Sequence, residues 1–448
     1  MKRILSRRAF LQGSAAAAAG GLLVSKTIQL EAQPFPRAVA PSDRVRFGMI
    51  GIGMQGSGLL GGAITIPGIE CVGAADLYDG RHTLAKEITA NPSLPTTRHY
   101  QELLDRKDID CIVAAVPDHW HRRVVVDACN AGKDIYCEKP MSHNVADGLA
   151  MVEAVQAGKR IFEAGSQRVS SILYKKAAEI YASGRVGEVH SIDAHLNRNS
   201  PGGAWVYPAP PDASPETVDW NAFLVDAPQR PFDPLRFFRW RLFADYGSGL
   251  GGDLFVHLIS GIHAITGMNI PASRAYSSGG LYHYKDGRDF PDFLETVYDY
   301  PGMQVHVHCN QNNNDGGDTI SIFGSRGTLV ISGSTLTFTP QDTTPRFEVY
   351  GWRGMTEAQT KLGMEEWKAV HTAPPPELDQ AETFTLPQGY DDTADHIANF
   401  FRAVETREHV VEDEVFGHNA AIGCHLANYS YFNRTVATWD ATTKTIKG

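Results

Sequence analysis

Three groups of side chains in this sequence have the types and spacing to do chemistry. In Tyr136-Cys137-Glu138-Lys139-Pro140, a lysine stands directly between a carboxylate and a proline. About eighty residues upstream, Gly51-Ile52-Gly53-Met54-Gln55-Gly56 is followed by a carboxylate at Asp76. Farther along, Asp253 and His257 lie four residues apart at the end of the glycine-rich run 246–252. Histidine is the side chain best matched to taking a proton from an alcohol near neutral pH, and a nearby carboxylate can orient or charge it. On a helix that spacing puts the two on one face.

The glycines gain meaning from their surroundings. Residues 45–50 read as a buried strand, and the residues after Gly53 open a helix with Met54 and Gln55 in its first turn. Gly51 allows the tight turn, Gly53 lets backbone approach a pyrophosphate, and Gly56 lets helix and strand pack closely. The helix N-terminus adds unpaired N–H groups. A second strand, 69–75, ends in Asp76, placed to accept from both hydroxyls of a ribose, which favours NAD. Arg81 is the residue that could meet the 2′-phosphate of NADP. A third strand, 110–116, runs into Pro117, His119 and His121, and a fourth, 133–137, carries Glu138 and Lys139 at its carboxyl end. Such strand ends face the cofactor crevice of an open parallel sheet. With Gln167 after the last strand, these are the expected cofactor contacts, and Lys139 becomes a fixed cation beside the nicotinamide end. That points to hydride chemistry.

Other residues could touch a substrate. Arg168, Asn197, Arg198, Arg241, Tyr246 and Trp205 have groups that bind hydroxyls or stack on a sugar ring, although arginine and tryptophan also serve as packing and ion-pair residues. His306 and His308 share one face of a strand, but no third ligand accompanies them, so no metal site is expected. The six cysteines (71, 111, 129, 137, 309, 424) have neither paired nor zinc-like spacing and read as small buried hydrophobes.

The elements that must position these groups divide a chain of 448 residues, longer than one core usually serves. Residues 43–166 alternate strand and helix, as a doubly wound parallel sheet does. Residues 167–385 are richer in alternating strands and read as a substrate domain with an open, mostly antiparallel sheet, giving an α/β chain with a C-terminal α+β part. The stretch 320–339 reads as an antiparallel meander, 346–388 as a surface excursion, and 386–448 as helices packing back on both domains.

Residues 1–32 have the character of a leader. Ser6-Arg7-Arg8-Ala9-Phe10-Leu11 precedes an apolar stretch, 15–24, too short to span a bilayer. It resembles a twin-arginine export signal, with cleavage expected near residues 30–32 and a periplasmic or extracellular destination. Its loss removes five basic residues and one acidic residue, taking the formal charge from −10 to −14 and making nucleic acid an unfavourable partner.

Over residues 43–440 the chain resembles the Gfo/Idh/MocA oxidoreductases, on the strength of Glu138-Lys139-Pro140 and of the glycine-rich segment followed by Asp253 and His257. The resemblance implies a Rossmann NAD-binding domain, a cis Lys139–Pro140 bond, and Lys139, Asp253 and His257 acting on a sugar or polyol hydroxyl. It also implies a homo-oligomer formed through the open sheet. Many relatives carry an aspartate three residues after the histidine, where this chain has Ser260. Dinucleotide is scarce outside the cytoplasm, so an exported enzyme of this kind is expected to keep its cofactor bound. Two chemistries then remain: net hydride transfer between a carbohydrate hydroxyl and NAD, or a glycosidase that oxidises, eliminates and re-reduces. For the second, Tyr246, His195 and His263 are candidate bases. A non-catalytic sugar-binding protein is the third class.

Overall fold

The computed structural model describes residues 26–31, 44–200, 202–374 and 377–448. The twin-arginine run therefore lies outside the described residues. Lys26–Gln29, assigned above to the leader, instead forms strand β1, an edge strand parallel to β15 (Glu382–Thr385). A cut at residues 30–32 would separate this strand from the sheet it completes.

The first domain is built on a six-stranded parallel sheet in the order β4-β3-β2-β5-β6-β7, comprising β2 (Val45–Ile50), β3 (Ile69–Ala75), β4 (Thr96–Thr97), β5 (Cys111–Ala114), β6 (Asp134–Glu138) and β7 (Phe162–Gly165). Strands β5, β6 and β7 are buried at every position, as expected when helices cover both faces of a parallel sheet. Helix α1 (Met54–Ala63) starts directly after the glycine turn, with Gly53 as its N-cap. Helix α2 (Asp79–Ile88) follows β3, helix α3 (Asp118–Asn130) follows β5, and helix α4 (Val145–Gly158), capped by the Asn144 side chain, follows β6. The Lys139–Pro140 peptide is cis.

After α5 (Ile172–Ala182) the chain enters an eleven-stranded sheet ordered β1-β15-β14-β13-β12-β8-β11-β10-β9-β16-β17. Its strands are β8 (Val189–Asn197), β9 (Arg274–Gly280), β10 (Phe293–Tyr300), β11 (Met303–Asn310), β12 (Asp318–Gly324), β13 (Gly327–Ser332), β14 (Thr335–Pro340), β16 (Ala437–Asp440) and β17 (Thr445–Lys447), besides β1 and β15. All neighbours are antiparallel except β1·β15 and β8·β11. Alternating burial along β10 to β12 turns Leu294, Val305, Val307 and Ile320 onto α5 and α6 (Val256–Thr266), within the largest core. The excursion after β14 carries α7 (Glu357–Val370). Helices α8 (Asp392–Thr406) and α9 (Glu414–Asn433) pack on both domains, as expected, but the C-terminal part also supplies β16 and β17. All six cysteines are buried and unpaired. Among the described residues no helix is long and apolar enough to cross a membrane.

Residues 205–246 leave the second domain and lie across the crevice end of the first. Val218 pairs with Tyr78 as a β-bridge, Asp219 N–H donates to Leu77 O, and Tyr78 Oη donates to Asp212 at 2.6 Å. The indole of Trp120 donates to Phe223 O. Tyr78, Val218, Trp220, Phe223, Phe237 and Phe238 form a small core of their own, so this strap is packed rather than draped.

Candidate active site

The strap roofs a cavity of about 450 Å³ whose floor is the glycine turn. Gly51 has φ +85°, and a Cβ there would meet Ala115 O at 2.4 Å; a Cβ on Gly56 would meet Gly51 O at 2.0 Å. At Gly53 the nearest atom would be the Arg81 guanidinium at 3.5 Å, leaving room for another group to approach the backbone. Both oxygens of Asp76 are engaged, accepting from Ile52 N–H at 2.8 Å, Tyr78 N–H at 3.0 Å and Arg81 Nη1 at 3.3 Å. Arg81, held on this carboxylate and against Phe237 and Phe238, is thus an Asp76 partner. Met54, Gln55, Pro117, Glu138 and Lys139 also line the cavity, as the sequence implied. The fit of a dinucleotide is that of the cradle: open backbone at Gly53, a helix N-terminus, and a carboxylate, Asp76, just past the end of β3 on the cavity wall.

Glu138 anchors the far end. Its carboxylate accepts from Gln55 Nε2 at 3.1 Å and Gln167 Nε2 at 2.6 Å, and Gln167 also donates to Tyr136 Oη. A Cβ on Gly165 would stand 2.9 Å from both Glu138 Oε1 and Tyr136 Oη, so only glycine leaves this network intact. Burial raises the Glu138 carboxyl while Lys139, Gln55 and Gln167 pull it back.

Lys139 Nζ donates to both Asp253 O (2.8 Å) and Asp253 Oδ1 (2.9 Å). That same oxygen accepts from Arg241 Nε at 3.1 Å, while Oδ2 accepts from Trp205 Nε1 at 3.0 Å with Arg198 at 3.7 Å. Burial opposes the charge on Asp253, but Lys139, Arg241 and Arg198 outweigh it and hold the carboxyl far below the usual carboxylate range. An acid held so firmly ionised does not exchange protons in the neutral range; it fixes Lys139.

His257 opens on a second cavity of about 380 Å³, lined with Gln167, Arg168, Asn197, Arg198, Asp318 and Asp392. The two cavities share no lining residue, but Glu138 of the first is hydrogen-bonded to Gln167 of the second. Burial, then Lys139 and Arg168, push His257 well below the ordinary imidazole range, so its neutral form is favoured. Asp253 and His257 make no hydrogen bond. Asp253 lies in a π-helical turn, Gly251–Phe255, and His257 in the α-helix that follows directly, where the Asp253 charge still acts on it.

Several expectations are corrected. His121 is wholly buried, its two ring nitrogens bonded to Pro140 O and Val116 O, so it braces the Lys139–Pro140 loop. His119 bonds to Phe223 O and packs against Phe223 and Tyr246, and burial lowers it to about 4; it holds the strap. Tyr246 is fully buried in that same packing and reaches neither cavity. Arg168 lines the polar cavity but is paired with Asp318. Asn197 donates to Asp315 O. Of the candidate elimination bases, His195 stacks on His308 on the sheet face and His263 is buried against Tyr300. Among the described residues no group of three metal-type side chains occurs. Sequence reasoning passed over Tyr207, Phe237, Phe238 and Trp240, which wall the first cavity. Their only signal was the aromatic density of residues 237–240.

Residues 45–166 match the oxidoreductase family with NAD-binding Rossmann fold, and residues 217–330 match the GFO/IDH/MocA C-terminal domain. The inositol 2-dehydrogenase of Salmonella paratyphi B is 33% identical over 146 residues, covering 32% of this chain and 43% of that protein. Glycosyl hydrolase family 109 protein 1 of Shewanella sp. strain MR-4 is 28% identical over 172 residues, covering 34% of this chain and 37% of that one. The matched stretch thus spans less than half of either relative. The structure of levoglucosan dehydrogenase in complex with NADH and levoglucosan covers 88% of this chain and 99% of its own with a TM-score of 0.65 at 16% identity, a likeness of fold.

Proposed function

Because the chain belongs to the Gfo/Idh/MocA oxidoreductase family, we propose that it moves a hydride between a carbohydrate or polyol hydroxyl carbon and NAD, which stays bound between turnovers. The observation that carries this reading is Lys139, which lines the first cavity and is held by Asp253, four residues before the His257 that lines the second. Bound in the first cavity, NAD supplies the hydride acceptor. Gly53 backbone and the N-terminus of α1 face its pyrophosphate, and Asp76 its ribose. Lys139 polarises the substrate oxygen, and neutral His257 takes the hydroxyl proton. The alcohol thereby loses one hydride and one proton and becomes a carbonyl. Asp253 keeps the ammonium in place, and Glu138 and Gln167 fix the backbone behind it.

Cofactor retention is supported by the strap, which packs on Tyr78, Leu77 and Trp120 over one side of the cavity. Retention also suits the exported location that the leader suggests. The test is to denature the purified protein, identify released dinucleotide by mass, and repeat after incubating native enzyme with sugars and glycosides. Stoichiometric NAD(H) that changes redox state with one sugar supports the reading; protein free of dinucleotide overturns it. Release of an aglycone with no net redox change would assign the chain to the chemistry named in its glycosyl hydrolase relative instead.

A further inference from the structure

We propose that the substrate of this site is a sugar acid, its carboxylate received by Arg241 with Arg198 as the second contact; the proposal rests on the oxidoreductase reading above. Arg241 sits on a short 3₁₀ turn, Trp240–Leu242, and its guanidinium lies over the Trp240 ring at 4.2 Å. Its Nε is committed to Asp253, and that is its only acceptor among the described residues. The two terminal nitrogens carry four further N–H donors in one plane. The side chain keeps 22% of its surface open and lines the first cavity beside Lys139 and Tyr207. A planar fork of that kind matches a carboxylate bidentately, with charge-assisted bonds about twice as strong as neutral ones.

The other arginines near the crevice are already matched. Arg81 has Asp76, Arg98 has Asp79, Arg168 has Asp318, and Arg230 and Arg236 share Asp245. At the catalytic end, by contrast, Lys139, Arg241 and Arg198 converge on Asp253 alone, whose two oxygens are filled by Lys139, Arg241 and Trp205. Glu138 is filled by Gln55 and Gln167 and Asp118 by Ser248, while Asp318 of the polar cavity is paired with Arg168, and Asp392, beside that same arginine, has its charge opposed by burial. Arg198, with 47% of its side chain open, faces the polar cavity and comes no nearer to Asp253 than 3.7 Å. The cofactor pyrophosphate does not claim Arg241, because it belongs at the glycine turn, where Arg81 stands. A carboxylate on the substrate completes both guanidinium groups; a neutral polyol offers them hydroxyls only.

The experiment uses the cofactor-loaded enzyme and follows single-turnover reduction of its bound NAD by absorbance over a range of sugar concentrations, the limiting rate and half-saturating concentration standing for kcat and KM, with matched pairs, glucose against glucuronate and gluconate, galactose against galacturonate. The expected result is a kcat/KM at least about tenfold higher for one acid than for its neutral partner. Arg241→Gln is expected to cut that ratio by about tenfold through KM, with Arg241→Lys restoring part of it and the NAD content per chain unchanged. Neutral sugars turned over as well as or better than every acid, an unchanged ratio in Arg241→Gln, or loss of bound NAD in that variant each overturn the proposal. No redox change with any sugar overturns the oxidoreductase reading as well, so the two failures are told apart.

Discussion

Two charged clusters are buried where the domains meet, and they solve burial in opposite ways. Around Asp253, three cations and an indole N–H keep a carboxylate ionised. Around Glu163 and Glu412, both wholly buried, two carboxyls share the space with His396, Ser166, Ser170 and Ser260. His396 lies 3.4 Å from Glu163, the geometry of an ion pair. Yet burial lowers His396 to about 4, while burial and Glu412 push Glu163 well up, with Arg402 too weak to offset them. Burial likewise raises Glu412 to about 8. With His396 Nε2 donating to Ala164 O, its Nδ1 accepts from Ser170, so this is a contact of neutral groups. Burial with a cation makes a charged tool; burial without one makes a protonated strut.

The sharpest way to break this contrast is at Lys139. Lys139→Met keeps the stem but removes the ammonium aimed at the substrate oxygen, and kcat should fall by about a thousandfold or more. Stopped-flow reduction of the bound cofactor reads this directly, and a fall of under tenfold would put the polarising group elsewhere. Asp253→Asn comes next. It leaves three cations around a neutral amide, and breaking a buried pair in this way costs roughly 3 kcal/mol. Both the denaturant midpoint and kcat should drop, because the carboxylate both balances the cluster and fixes Lys139.

Glu412→Gln is the converse experiment. A carboxyl raised from 4.5 to about 8 gives stability that is fully present below pH 4.5 and is lost as pH rises toward 8. Between those values the unfolded chain ionises and the folded one does not, a slope on the order of 1 kcal/mol per pH unit. The stability of Glu412→Gln relative to the native protein should therefore rise from pH 5 to pH 8, the histidines that burial lowers being common to both. A variant weaker at both pH values would mean that Glu412 is charged in the folded protein.

The sequence made one cluster far more legible than the other. Glycine roles at 51, 53 and 56 are local, set by turn, approach and packing within one βα unit, and the sequence shows them directly. Lys139 is legible for the same reason, since it ends a strand whose direction the alternation already gives. What lies beyond local reach is which of Arg168, Arg198 and Arg241 meets Asp253, because the three reach it from separate segments. His121 and Tyr246 have the types of site residues and are packing residues; only burial separates the two, and burial is a tertiary property. The strap joins residues 77–120 to residues 212–246, and no periodicity marks a pairing at that separation. Glu163 and Glu412 read as ordinary surface acids until β7 and the start of α9 are brought together.

The smallest expected effect bears on Ser260, which donates to Glu412 at 3.2 Å and to Ser166 at 3.3 Å. It stands one turn after His257, where the resemblance called for an aspartate. Next to a protonated Glu412 a hydroxyl is a neutral partner, and Ser260→Ala should cost about 1 kcal/mol near pH 6. An aspartate there would add a third carboxyl to a cluster whose acids are already neutral through burial and mutual repulsion, and it would have no cation to meet. Ser260→Asp should thus lose more stability at pH 8 than at pH 5.5, whereas Ser260→Ala should not steepen the pH dependence. Equal losses at both pH values in Ser260→Asp would show that a cation reaches the cluster after all, and the division between the charged and the protonated region would fall with it.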